Sequence, residues 1–525
     1  LDAVTDVAPD FDDIPHCVRL HAARAPRQPA LILGPHCLDY TGLDRRMDQV
    51  AGALQRDGLG PGDAIAICAG MSIDTVAVFL GALRAGLAVA PLAPGSSAQV
   101  LARMVSDAQA RRVFVDSASA DVFEAALPAG TACVVLDGVG VASGQIPLAD
   151  WLHGAIEPPC PLDIQPEWPF NIIYSSGTTG DPKGIVQSHG MRWTHVRRGA
   201  AYGYGPDTVT LLSTPLYSNT TLVVFCPTIG RGGTVVLMPR FDARAYLELA
   251  QQHRVTHTML VPVQYQRLMA VPDFDRFDLS CFAFKFSTSA PFAAALKADV
   301  LRRWPGGLVE FYGMTEGGGT CILDAHLQPD KLHTVGLPSK GHDIRLIDDN
   351  GVEVAVGEAG EVVGHSPGMM TGYHRQPEKT REAEWYDRQG KRFIRTGDIG
   401  RFDGDGFLVL LDRKKDMVIS GGFNVYPSDL EAVLRQHPAV ADVAVVGVPS
   451  ERWGETPVAF VVLDAKNSAT AAELLQWAHA QLSKTQRLAD LQLCSELPRS
   501  PIGKVLKREL RTAYRRTPNQ ETLTP

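Results

Sequence analysis

Residues 170–184 read Phe-Asn-Ile-Ile-Tyr-Ser-Ser-Gly-Thr-Thr-Gly-Asp-Pro-Lys-Gly. The apolar run from Phe170 to Tyr174 predicts a buried strand. It breaks into the hydroxyls of Ser175, Ser176, Thr178 and Thr179, interleaved with Gly177, Gly180 and Gly184. Glycines let a backbone turn with positive φ and approach a ligand closely. Successive N–H groups in such a turn form an anion-binding concavity. Hydroxyls add rotatable donors, and Lys183 adds one mobile positive charge. The set suits a polyphosphate. It is not a Walker loop, because no Gly-Lys-Ser/Thr follows at the required spacing. On these residues alone a plain surface loop stays open, since Gly/Ser/Thr/Pro/Lys clusters usually are loops.

The 525 residues around this stretch exceed what one hydrophobic core serves, so two or more domains are expected. With 45% hydrophobic and 21% charged residues the composition is that of an ordinary globular protein. A formal net charge of −8 argues against a general nucleic-acid binder. The nine cysteines are scattered without a C-x-x-C pair, which fits reduced thiols in a cytoplasm. No apolar run is long enough to span a membrane, and the acidic N-terminus lacks a signal-peptide core.

Before the glycine loop, strand-like runs (31–33, 64–68, 87–92, 112–115, 133–136) alternate with helical patterns at 43–54 and 72–85. After it the same grammar resumes, with strand-like runs at 208–213, 233–238, 256–261, 282–287 and 307–311. Such alternation implies parallel sheet built from βαβ units. From about Val335 the pattern changes to short strands separated by Asn350-Gly351, Asp403-Gly404 and Asp405-Gly406, which favour hairpins and a small barrel-like unit. A compact α+β segment follows, with helices over 429–436 and 471–482 and strands over 443–448 and 458–463. The domain boundary is placed in the charged run 412–416.

Four later motifs carry further chemistry. Phe311-Tyr312-Gly313-Met314-Thr315-Glu316 ends a predicted strand at Phe311 and leaves Tyr312, Thr315 and Glu316 on the following loop, where α/β sheets bind ligands. Its aromatic face can stack on a purine and its carboxylate can hold Mg²⁺ beside phosphates. Arg395-Thr396-Gly397-Asp398 offers a two-oxygen acceptor, though Thr-Gly-Asp is also an ordinary turn. Leu411-Asp412-Arg413-Lys414-Lys415-Asp416 precedes the Gly421-Gly422-Phe423 loop, and alone is a solvated charged face. Pro498-Arg499-Ser500-Pro501-Ile502-Gly503-Lys504 projects one lysine, which in isolation is merely exposed.

In this order, from Ser175 to Lys504, the motifs resemble the adenylate-forming (AMP-binding) superfamily of acyl-CoA synthetases, nonribosomal adenylation domains and luciferases. The resemblance implies an α/β fold: an N-terminal adenylation domain over 1–412, built of α/β subdomains plus a small β-barrel-like one, a hinge at 413–416 with Lys415, and a mobile α+β C-terminal domain over 417–525. It implies that Ser175–Gly180 and Lys183 cradle the phosphates of ATP, and that Ser289, Ala290 and Pro291 also contact the nucleotide. Tyr312 would contact the adenine, with Gly313, Met314 and Thr315 also at the nucleotide, Glu316 the Mg²⁺, Asp398 both ribose hydroxyls, and Arg413 the ribose or phosphate. Lys504 would meet the carboxylate and α-phosphate during adenylation, with Thr178, Lys183 and Glu316 sharing the charge. A swing of the C-terminal domain would then bring Gly421, Gly422 and Phe423 forward to line the thiol tunnel.

The implied activity is an ATP-dependent acid–CoA ligase that forms acyl-AMP and then acyl-CoA. The acyl pocket is expected at Tyr217, Ser218, Asn219, Val263, Ser287, Gly317 and Gly318. Ser218 replaces a histidine common in the family, and Gly317 to Gly319 remove bulk where a ring or medium chain could lie. Beyond Lys285, two residues before Ser287, no basic residue stands in or beside this set, so a second substrate carboxylate is not indicated, and an aryl or alicyclic acid is favoured over a medium-chain fatty acid. His189 reads as structural. CoA is the expected acceptor, because no large insertion of the kind that disfavours CoA interrupts the hinge region. A carrier protein's phosphopantetheine is the alternative, and a catalytically decayed nucleotide-binding protein the contrasting class. A homodimer stays open.

Overall fold

The computed structural model describes residues 10–124, 127, 130–138, 144–155, 157–175, 183–420, 423–464, 467–483, 486–500 and 504–514. The expected ligands Ser176, Gly177, Thr178, Thr179, Gly180, Gly421 and Gly422 lie outside the described residues, as do the side chains of Ser175 and Phe423.

The chain divides into two compact units, residues 1–344 with 363–395 and residues 345–362 with 396–525. It passes from one to the other inside the strands Asp343–Ile347, Gly360–His365 and Arg392–Phe402. The boundary read at 412–416 falls within the second unit.

The first unit holds two large sheets. One has eight strands and runs from Gly372–Tyr373 through Lys183–Ser188, Pro169–Ser175, Ala88–Pro91 and Ala64–Cys68 to Gln145–Pro147. The other has nine, with Gly307–Gly313, Phe284–Ser287, His257–Leu260 and Val209–Leu212 as successive neighbours. Strands such as Ala64–Cys68 are apolar at every position because both faces are covered. The helices Tyr40–Arg56, Ile73–Arg84 and Asn219–Gly230 contribute to one core that also takes in Phe170, Phe286 and Phe311.

The expected parallel sheets are mixed. Lys183–Ser188 returns antiparallel to Pro169–Ser175, and Thr320–Asp324 antiparallel to Gly307–Gly313. Both connections are too short for the crossover that a parallel neighbour needs, so the chain can only reverse. The strand expected to stop at Phe311 continues to Gly313, with Tyr312 paired to Cys321. Tyr312 therefore stands on the strand, and only Met314 to Glu316 belong to the loop.

In the second unit, Arg392–Phe402 and Leu408–Arg413 form the hairpin signalled by the Asp-Gly turns. A five-stranded sheet follows, built on Val440–Ser450 and Gly454–Leu463 with Asp490–Cys494 parallel to the latter. Alternate residues face opposite ways. Val443, Val445, Ala459 and Val461 pack on Leu430, Leu434 and Leu474, while Ala444, Val446, Val458 and Phe460 pack on Leu497 and Leu510. All nine cysteines are free thiols. Among the described residues, no helix is long and apolar enough to cross a membrane.

Candidate active site

In the first unit the parallel strands His257–Leu260, Phe284–Ser287 and Gly307–Gly313 end side by side, with Leu260 opposite Ser287 and Ser287 opposite Glu310. The segments that leave these ends carry Val263, Ser289 to Pro291 and Met314 to Gly318, at the edge where α/β sheets take ligands. Ser289 adopts φ +79°, a conformation costly for a residue with a Cβ, and its hydroxyl lies 2.6 Å from that of Thr220. Glu316 is half-buried, and one of its oxygens accepts a 2.8 Å hydrogen bond from Tyr373 Oη. Lys183 Nζ lies 5.0 Å from the centre of the same ring. Burial, then the Glu316 charge, pushes the Tyr373 pKa up, so the phenol stays a donor. Tyr373 thus ties the loop lysine to the metal-binding candidate. The sequence reading missed it, because its strand of two residues, Gly372–Tyr373, carries no periodic signal.

A buried polar cluster also escaped the sequence reading. Arg192, fully inside the unit, donates from Nε to Asn171 Oδ1 (2.9 Å), from Nη1 to Asn219 Oδ1 (2.7 Å) and from Nη2 to Gln187 Oε1. Gln187 Nε2 in turn donates to the Thr315 carbonyl at 2.6 Å. The cluster therefore links both strands flanking the glycine loop to the start of the helix Asn219–Gly230 and to the loop carrying Glu316. Desolvation lowers the Arg192 pKa to about 10. The available signal was local: Asn171 interrupts an apolar run and Gln187 follows Ile185 and Val186, and both are fully buried.

Other acyl-pocket expectations fare differently. Asn219 is engaged by Arg192. Ser218 is buried at the N-cap of its helix, and Tyr217 lines a separate small cavity with Ile67, Phe79 and Pro91. Gly317 to Gly319 do not leave open space. A Cβ on Gly317 would strike the Gly368 carbonyl, one on Gly318 would lie 2.6 Å from Ile394 Cβ, and one on Gly319 would strike Ile344. These glycines allow close packing of backbone. Lys285 turns away from any ligand. Its ammonium donates to the carbonyls of Trp304 (3.2 Å), Pro305 (2.6 Å) and Gly306 (2.8 Å), and burial lowers its pKa to about 7. His189 packs edge-on against Phe170 with ring centres 5.1 Å apart, and burial holds its pKa at about 4.

In the second unit, antiparallel pairing sets Asp398 directly opposite Arg413, and Arg413 Nε meets Asp398 Oδ1 at 2.6 Å. Arg511 pairs with Asp416 at 2.8 Å, and Lys507 with Glu431 at 3.0 Å. Lys504 is an exposed residue whose ammonium nonetheless falls to about pKa 8, first through desolvation and then through the Arg413 charge, with Lys415 adding to the fall and Asp398 and Asp416 opposing it. Desolvation, then the cations Arg413 and Arg511, lower the Lys415 pKa against the opposing charges of Asp416 and Asp398. So Lys504, Asp398, Arg413 and Lys415, widely separated in sequence, act on one another electrostatically.

Among the described residues no cluster of three His, Cys, Asp or Glu side chains could hold a metal by itself. Glu316 with one engaged oxygen fits the other arrangement, in which Mg²⁺ is held by one or two carboxylates and by substrate phosphates.

Residues 18–374 match the AMP-binding enzyme family and residues 429–504 its C-terminal domain. A feruloyl-CoA synthase from an Amycolatopsis species is 34% identical over 94% of this chain and 97% of its own. The fatty acid–[acyl-carrier-protein] ligase ScoC of Streptomyces coeruleorubidus is 30% identical over 96% of this chain and 97% of its own. The crystal structure of ATP-bound MatB from Rhodopseudomonas palustris superposes with a TM-score of 0.84 at 29% identity, covering 95% of this chain and 99% of that one. The chain belongs to the AMP-binding enzyme family and is an AMP-forming acid ligase.

Proposed function

We propose that this protein activates a compact aryl or cyclic carboxylic acid with ATP and passes the acyl group to CoA. The observation that supports this most is the electrostatic grouping of Lys504 with Asp398 and Arg413. It puts a mobile ammonium beside the two residues that, by resemblance, hold the ribose and phosphate of ATP.

In the first step a substrate carboxylate oxygen attacks the α-phosphorus, the bond from that phosphorus to the bridging oxygen of the β-phosphate breaks, and pyrophosphate leaves. Protein work here is positioning and charge neutralisation. Lys504 neutralises charge at the α-phosphate, and Lys183 approaches the departing phosphates. Glu316, held in place by Tyr373, would hold Mg²⁺. That ion would supply positive charge to the polyphosphate. In the second step a CoA thiolate attacks the acyl carbon and AMP leaves. Rotation about the 413–416 hinge would exchange Lys504 for the 421–423 segment between steps, so one centre runs two reactions by gating.

The similarity to feruloyl-CoA synthase favours CoA and an aryl acid, whereas the similarity to ScoC keeps a carrier-protein thiol as the second reading. Incubation with ATP, Mg²⁺ and a panel of carboxylic acids, with and without CoA, tests both by mass spectrometry. Acyl-CoA from one acid class is the expected product. Acyl-AMP that persists with CoA present would favour the carrier-protein reading, and AMP release with no acid in the panel would refute acid activation.

A further inference from the structure

A small cavity lies in the first unit, one residue below the ligand edge of the nine-stranded sheet. Phe286 precedes Ser287 at the end of its strand, and Phe311 precedes Tyr312. Their rings stack at 5.5 Å, and Tyr202 stands edge-on to both, at 5.1 and 6.1 Å. The opposite wall comes from the helix His189–Gly199, which supplies His195 and Arg198, and from Val223, Val224 and Pro227 of the helix Asn219–Gly230. From Thr220, beside Ser289 at the edge, to Val224 in the cavity wall the helix rises about 6 Å.

Arg198 is half-buried here. Its guanidinium carbon sits 4.6 Å from the centre of the Phe311 ring, and among the described residues it has no carboxylate partner and no hydrogen-bond acceptor. The ionisable groups around it are His195, His342, Tyr202 and Tyr204, none of them an acid that is charged near neutral pH. Tyr204, also in the wall, is buried with its hydroxyl unpartnered, and His195 Nδ1 is likewise unpartnered. Burial pushes the Tyr204 pKa up and those of His195 and Arg198 down. The phenol therefore stays a donor and the imidazole neutral. Leaving two buried polar atoms without partners beside a half-buried guanidinium is unfavourable unless something completes them. A ligand that accepts hydrogen bonds completes the guanidinium and the phenol, and His195 as well in its Nδ1–H tautomer.

We propose that Arg198 is a specificity-determining residue that binds an acidic oxygen group at the end of the substrate opposite its reacting carboxylate. The inference rests on the acid-activating reading above and narrows it. The cavity is too small for a ring, so the ring would lie above it towards the ligand edge, and the guanidinium suits a ring-borne hydroxyl or a second carboxylate reaching down. The cavity has about 10 Å³ of free volume, near what one water occupies, so a ring oxygen fits without rearrangement whereas a carboxylate needs the walls to part. Lys285, the basic residue that the sequence offered for such a role, is committed to backbone carbonyls. Arg198 lies on the helix His189–Gly199, outside the segments where the sequence placed the acyl pocket.

The test compares cinnamic acid, 4-hydroxycinnamic acid and 4-carboxycinnamic acid as substrates, scoring kcat/KM for AMP release and for acyl-CoA formation. The wild-type protein should favour one or both oxygen-bearing acids over cinnamic acid by tenfold or more. The 4-hydroxy arm identifies a ring oxygen as the bound group, and the 4-carboxy arm a second carboxylate. In Arg198→Met that selectivity ratio should fall at least tenfold, and Tyr204→Phe, which removes a single oxygen, should lower it by a smaller factor. Wild-type protein that uses cinnamic acid as well as the other two overturns the inference while leaving acid activation intact, and needs no variant to fold. An unchanged ratio in a folded Arg198→Met variant also overturns it. Failure to release AMP with these acids, when another acid is activated, overturns the inference alone; failure with every acid overturns both.

Discussion

Lys504 provides the sharpest quantitative test of the charge grouping in the second unit. Its pKa of about 8 means that the free protein loses the ammonium just above neutrality, because desolvation and the cations Arg413 and Lys415 disfavour it more than Asp398 and Asp416 support it. Only the protonated form can neutralise phosphate charge. Above pH 8 the competent fraction should therefore fall about tenfold per pH unit, so that near pH 9 about one-tenth remains. The parameter to follow is kcat/KM for ATP, read as acid-dependent pyrophosphate release between pH 6.5 and 9.5, since kcat/KM reports groups of the free enzyme. The wild type should descend with a midpoint near 8. Lys504→Arg should be slower throughout yet flat, because guanidinium does not deprotonate in this range. Asp416→Asn removes an opposing charge and should move the wild-type midpoint to lower pH. A wild-type profile that stays level to pH 9.5, or an arginine variant that falls with the same midpoint, would refute the electrostatic reading.

Three further outcomes follow from the first unit. Arg192→Met strips three amide oxygens of a donor and should cost about 2–4 kcal/mol in urea unfolding, with a loss of ATP-dependent turnover because the Gln187 bond to Thr315 loses its support; a change under 1 kcal/mol would contradict the network. Gly317→Ala combines φ +72° with a collision at the Gly368 carbonyl and should cost about 2–5 kcal/mol, which a shift in unfolding midpoint would register. Lys285 has a folded pKa of about 7 against 10.5 unfolded, so between those values the unfolded chain holds more protons and stability should rise with pH, by up to about 1.4 kcal/mol per unit. That contribution is lost as pH falls through 7. Urea midpoints at pH 7.5 and 9 should diverge for the wild type but not for Lys285→Met, and parallel behaviour would show that Lys285 keeps its charge in the fold.

Much of this architecture was legible because periodicity and punctuation agree. Apolar runs at 64–68, 209–212, 257–260 and 307–311 are strands because both faces are covered, and the Asp-Gly turns near 403–406 close a hairpin as read. The exceptions are places where tertiary contacts override local pattern. Nothing local distinguishes Tyr312 on a loop from Tyr312 on a strand; pairing with Cys321 decides it. Gly317 to Gly319 read as space for a ligand, yet the space is taken by Gly368, Ile394 and Ile344, which come from distant segments. Lys285 and Arg198 are both basic residues near the ligand edge, and the sequence offered only the first. Which of them is available depends on where the helix Ala294–Arg303 ends, since the carbonyls just beyond it capture Lys285.

These cations share a logic that composition conceals. Many positive side chains of both units are paired with acids, as in Arg413 with Asp398, Lys414 with Glu361 and Arg511 with Asp416 in the second and Arg84 with Asp48 in the first. In the first unit, Arg192 is held by amide oxygens, Lys285 by carbonyls and Arg198 by a ring, and none has a carboxylate partner among the described residues. Other cations of the same unit do pair with acids, among them Lys297 with Glu310, Arg84 with Asp44 and Arg303 with Asp275. Holding a cation with neutral dipoles satisfies its hydrogen bonds without cancelling its field. That distinction matters in a chain of net charge −8 whose substrates, a carboxylate and a polyphosphate, are both anions. A carboxylate beside Arg198 would satisfy the guanidinium and also repel the acid it faces. If the field is the reason, then Val224→Asp, which sets an acid in the wall of the Arg198 cavity, should depress kcat/KM for acids of every kind, whereas the isosteric Val224→Asn should depress it far less. Equal losses in the two variants would mean that steric fit governs this cavity and the unpaired cations serve only the fold.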